Sequence, residues 1–128
     1  MATIKSFTDL SQSKTLSKIL PHESADTWWS RCTITDFGDG ILKVSYAVEP
    51  CNISPFKNTD DDIPCWSLSA LLDILPYPQL SKDKLGSGKV GWMVTAYPND
   101  CRYDSCWHDN PIDACVEMIL KLHELNLL

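Results

Sequence analysis

The sequence predicts an α+β domain in which an antiparallel sheet of about four strands carries helices on one face, in the order α-ββ-α-ββ-α. Three observations carry this reading. The stretch Asp109–Leu125, DNPIDACVEMILKLHEL, joins a full set of helix-start signals to an amphipathic stripe. Between Asp26 and Glu49 polarity alternates with a period of two, on either side of a Gly38-Asp39-Gly40 turn. In the middle, IPCWSLSALLDILP (Ile63–Pro76) spaces its leucines as one buried helical face.

In chain order, the first helix spans Thr8–Leu20, with Thr8 as its cap and Pro21 as its stop. Its apolar stripe, Leu16, Ile19 and Leu20, is thin. Two strands follow. In the first, Trp28, Ser30, Cys32 and Ile34 alternate with Trp29, Arg31, Thr33 and Thr35; in the second, Leu42, Val44, Tyr46 and Val48 alternate with Ile41, Lys43, Ser45 and Ala47. Together they form a hairpin. Pro50–Asp62 reads as a loop. Ser67 caps the second helix, whose Leu68, Leu71, Leu72 and Leu75 share a face, and Trp66 stands where a hydrophobic staple belongs. Tyr77–Gly91 is polar and glycine-bearing, which reads mostly as loop. Val90, Trp92, Val94 and Ala96 mark a third strand, and Arg102–Trp107 a short, polar fourth.

In the terminal helix, Asp109 or Asn110 caps, Pro111 takes the first position and Asp113 meets the positive end of the dipole. Ile112, Cys115, Val116, Ile119 and Leu122 face inward with His123 among them, leaving Asp113, Glu117, Lys121 and Glu124 to water. Leu16-Ile19-Leu20-Pro21 recurs as Leu71-Ile74-Leu75-Pro76, fewer matched positions than a duplication requires.

A chain of 128 residues fits a single domain, 1–128, able to bury a core without disulfides or metal. It contains no apolar run of membrane-spanning length, and the N-terminal MATIKSFTDLSQSK lacks a signal-peptide core, so the expected location is the cytoplasm. Net charge is −6 and only Arg31 and Arg102 are arginines, which disfavours nucleic-acid binding. The six cysteines are expected as free thiols, with Cys32 and Cys115 as small buried hydrophobes.

Polar chemistry concentrates in CRYDSCWHD, which holds Cys101, Cys106, His108 and Asp109. Cys101, Cys106 and His108 are weak candidates for a zinc site, because C-x₄-C-x-H is not the usual paired spacing and a fourth ligand, Cys51 or Cys65, must come from elsewhere. No metal and no cofactor is therefore expected. A thiol nucleophile with His108 as base, oriented by Asp104, Asp109 or Asp113, lacks any surrounding signature. His123 reads as a structural histidine near a helix C-terminus. The Asp36/Asp39 and Asp60–Asp62 loops match no EF-hand, and no phosphate-binding or hydrolase motif occurs. Of five tryptophans, Trp28 and Trp29 are adjacent, so a strand sends them to opposite faces. Trp28, Trp29, Trp66 and Trp107 form the expected partner or ligand surface.

LPHESADTWW, IPCWSLSALLDILP and DNPIDACVEMILKLHELNLL, taken together, resemble a family of small uncharacterised proteins encoded in Bacteroidales genomes and their phage or mobile elements. That resemblance spans nearly the whole chain and implies an accessory protein, but no activity or site residue. The expected function is a small non-catalytic protein-interaction module that self-associates or binds a protein partner. The alternative is a small-molecule-binding domain or enzyme using the Cys101–His108 region.

Overall fold

In the computed structural model, residues 5–35, 42–50 and 63–128 are described, except for the side chains of 30–35 and 42–50. The chain is α+β. Its helices and strands run α1 (Leu10–Leu16), β1 (Thr27–Thr35), β2 (Leu42–Pro50), β3 (Ile63–Cys65), α2 (Leu68–Ile74), β4 (Gln79–Lys84), β5 (Val90–Ala96), β6 (Tyr103–Asp104) and α3 (Pro111–Glu124). Instead of one four-stranded sheet there are, among the described residues, two antiparallel sheets of three strands, ordered β2-β1-β3 and β4-β5-β6. They belong to two compact units, Asp9–Trp66 and Met1–Thr8 with Ser67–Leu128. The order is thus α-βββ-α-βββ-α.

In the unit Asp9–Trp66, the cap of α1 is Asp9 rather than Thr8. Its carboxylate accepts from the Gln12 N–H while the Gln12 side chain accepts from the Asp9 N–H, a closed capping box. Thr8 is fully buried. The expected hairpin forms, with Trp29 opposite Val48 and Thr35 opposite Leu42; its Gly38-Asp39-Gly40 turn lies outside the described residues. The addition is β3, which pairs Trp29 with Ile63 and Thr27 with Cys65. Pro64 donates no ladder bond, and β3 is an edge strand, where that absence is tolerated. Trp66 is fully buried, and its indole N–H donates to Ser24 Oγ at 3.0 Å. Trp66 therefore belongs to the core and not to a partner surface.

The second unit follows the expected caps. Ser67 Oγ accepts from the Ala70 N–H at the start of α2, and Leu71 and Leu75 are buried. Asn110 Oδ1 accepts from the Asp113 N–H, with Pro111 opening α3. Along α3, Ile112, Ala114, Cys115, Met118, Ile119 and Leu122 are fully buried, and the helix packs on β5 and α2. His123 is exposed instead of inward-facing: it lies in the last turn, beyond Leu122, the last buried residue. Burial pushes the Cys115 thiol up to about 12, leaving it an inert core hydrophobe.

Tyr77–Gly91 is not mostly loop. β4 pairs with β5 across six positions, Gln79 opposite Thr95 through Lys84 opposite Val90. Its turn closes with the Gly88 N–H on the Leu85 carbonyl and the Leu85 N–H on the Lys89 carbonyl. Gly88 sits at φ 87, the left-handed position such a turn requires. The short repeat marks two helix endings only. The central strand of one sheet is the first of its three, and that of the other is the second.

Candidate functional site

The polar constellation of CRYDSCWHD is arranged by a break in β6. Thr95 pairs with Asp104 and Trp92 bridges to His108, so three residues on one side face two on the other. This is a β-bulge. Ser105 repairs the ladder there: its N–H donates to the Val94 carbonyl at 2.9 Å, and its hydroxyl accepts from the Val94 N–H at 3.0 Å. The bulge re-aims Cys106 and His108 toward α3.

Glu117 receives them both. One carboxylate oxygen accepts from the Cys106 N–H at 2.8 Å, and the other lies 2.9 Å from His108 Nε2. Burial pushes the Glu117 carboxyl up, but the Cys106 and His108 hydrogen bonds and the His108 charge outweigh it and hold the carboxyl below its usual range. One turn later Lys121 Nζ donates to the Asp104 carbonyl at 3.2 Å. Asp104 itself accepts from Thr95 Oγ1 at 2.7 Å and Arg102 Nε at 3.0 Å, and these bonds hold its carboxyl low as well. Glu117, partly buried, thus joins helix to bulge as a clasp, while Lys121 is exposed as expected and reaches the bulge from the solvent side. At the other end of α3, Asp113 accepts from Lys5 Nζ at 2.9 Å and from Asn110 at 2.8 Å.

This geometry differs from that of an activated thiol. Catalysis by Cys106 needs an imidazole nitrogen on the sulfur and a carboxylate behind the imidazole. Here His108 Nε2 points at Glu117, and the same carboxylate also takes the Cys106 N–H. The carboxylate is in the middle of the three groups, where a triad has its histidine. Asp104, Asp109 and Asp113 do not hydrogen-bond to His108. Cys101, Cys106 and His108 are not gathered into a ligand set either: among the described residues no group of three or more His, Cys, Asp or Glu side chains is placed to hold a metal. Of the proposed fourth ligands, Cys65 is buried and Cys51 lies outside the described residues, as do the Asp36/Asp39 and Asp60–Asp62 loops and the Cys32 side chain.

The clasp predicts an acid-sensitive stability. A carboxyl held below its unfolded-state value contributes stability above that value and loses it as pH falls through the folded one. For Glu117 the loss is expected on acidification below about its usual 4.5. Glu117→Gln should cost about 0.5–1 kcal/mol at neutral pH, because the pair is partly solvated. It should also flatten the acid limb of a urea-denaturation series recorded from pH 7 to 3. An unchanged acid limb would remove Glu117 from the clasp.

Of the expected partner surface, Trp28 and Trp29 are half-buried and Trp107 is 40% exposed. Sequence reading missed Tyr77, the most exposed large hydrophobic residue described, at 80%. It stands between Pro76 and Pro78 at φ 48, a left-handed backbone that a bulky side chain rarely adopts. The Tyr97 N–H holds this turn by donating to the Pro76 carbonyl at 3.0 Å. That bond brings it beside the turn after β5, where Asn99 (φ 52) and Asp100 (φ 63) are also left-handed. The Pro76-Tyr77-Pro78 spacing was the available signal. Among the described residues no helix is long and apolar enough to cross a membrane. Compared with protein-family models, curated proteins and solved structures, the chain finds no significant match.

Proposed function

We propose that this chain is a small non-catalytic protein-interaction module acting in the cytoplasm, through binding of a protein partner or a second copy. Tyr77 carries the reading. A left-handed non-glycine residue costs roughly 1–2 kcal/mol, and here the cost supports an aromatic side chain held out in water. Tyrosine concentrates binding energy at interface hot spots, and Trp107 adds a second exposed aromatic. The net charge of −6 and the scarcity of arginine favour a protein over a nucleic acid as partner. The resemblance to small proteins of Bacteroidales mobile elements adds an accessory role to the reading.

The test compares the parent with Tyr77→Gly and Trp107→Ala, in sedimentation for self-association and in affinity capture from the source cells. Glycine relieves the backbone at position 77, so stability should hold or rise by as much as about 1 kcal/mol. Binding should weaken by tenfold or more, as for a hot spot. Equal binding by parent and variants, or no association of any kind, would refute the proposal.

A further inference from the structure

We infer that the β4–β5 hairpin docks an extended acidic segment of a partner protein along the outer edge of β4. The inference rests on the interaction-module reading and names the partner's chemistry. In its sheet β4 is an edge, paired with β5 on one side only among the described residues. The Leu85 N–H points inward to the Lys89 carbonyl, so strand alternation turns the N–H groups of Leu80, Lys82 and Lys84 outward. The Lys84 N–H is already taken by the Asp83 carboxylate at 2.8 Å. A carboxylate on this edge is thus an interaction that the chain itself makes. The outward groups of Leu80 and Lys82 continue the same row.

Charge selects the occupant. From Gln79 to Val90 the hairpin has Lys82, Lys84 and Lys89 against Asp83 alone, in a chain of net charge −6. The register sets Lys82 opposite Trp92 and Lys84 opposite Val90, so these four share one face of the ribbon. Lys82 Nζ lies 5.0 Å from the Trp92 ring centroid, and Val90 is 46% exposed. The side chain of Leu85 is folded against Gly91, where an added Cβ would meet it at 2.9 Å. An extended segment alternating acidic and apolar residues matches this pattern, with main-chain bonds to the edge and carboxylates on the lysines. Two copies of β4 side by side would instead bring lysines together, the usual defence of an edge against its own kind. A long polyanion would meet the acidic remainder of the chain, whereas a short segment senses charge only within about 8–10 Å.

The probe is a synthetic heptapeptide alternating Glu and Val, titrated into ¹⁵N-labelled protein. Expected are shifts of the Leu80 and Lys82 amides, an affinity that falls with added salt, and a loss of tenfold or more in Lys82→Glu/Lys84→Glu with unchanged melting. A Lys/Val heptapeptide should not bind. Binding that leaves the Leu80 and Lys82 amides unmoved, or that survives the double substitution, would overturn the inference, as would tighter binding of an oligothymidylate. If Tyr77→Gly weakens partner capture while Lys82→Glu/Lys84→Glu does not, the hairpin assignment fails and the interaction module stands; if neither does, both fail.

Discussion

Trp66→Ala is expected to lower the unfolding free energy by about 3–5 kcal/mol, the range for removing a buried aromatic side chain. The indole is fully buried, and its N–H is satisfied by Ser24. Truncation leaves a cavity and removes the N–H that the Ser24 hydroxyl accepts, leaving that hydroxyl its bond to the Pro21 carbonyl. Trp66→Phe separates the two effects, because it restores most of the volume without the N–H. It should recover more than half of the loss, read by urea denaturation at neutral pH. A Trp66→Ala cost below 1 kcal/mol would place the indole at the surface, where the sequence alone had set it.

A comparably large effect is expected in α3. Ile119→Ala should cost about 2–5 kcal/mol, since Ile119 is fully buried in the face that packs on β5 and α2. Leu120→Ala, one position along, should stay within about 0.5 kcal/mol, since Leu120 is 36% exposed. The contrast between adjacent residues tests the rotation of the helix about its axis. Comparable losses at both positions would contradict it.

These elements differ in how far local sequence determines them. The caps at Ser67 and Asn110 are written within three residues of the groups they satisfy, so they were legible. The β1–β2 hairpin announces itself by alternation. β4 does not: an edge strand is paired on one side and washed on the other, so its lysines look like a loop. β3 hides behind Pro64, and the fourth strand is shortened by a bulge that no periodicity encodes.

The site was half legible for the same reason. Cys106 and His108 stand out in the sequence, but the group that organises them is Glu117, nine residues from His108 and on the solvent side of a helical wheel. Only the docking of α3 beside the bulge makes them neighbours. His123 shares its wheel angle with core residues, yet the wheel carries no information about where burial ends. The exposure and left-handed backbone of Tyr77 are properties of the folded chain, which its flanking prolines hint at but do not determine.

The central claim is that the Cys106–His108–Glu117 cluster fastens helix to strand, with His108 Nε2 turned to the carboxylate. Alkylation by iodoacetamide at pH 7, followed by peptide mass spectrometry, compares Cys106 with Cys101, the other exposed thiol described. The account predicts rates within about threefold of one another, with Cys115 unmodified until the chain unfolds. Alkylation of Cys106 ten times faster or more, slowed by His108→Ala, would identify an activated nucleophile and contradict it.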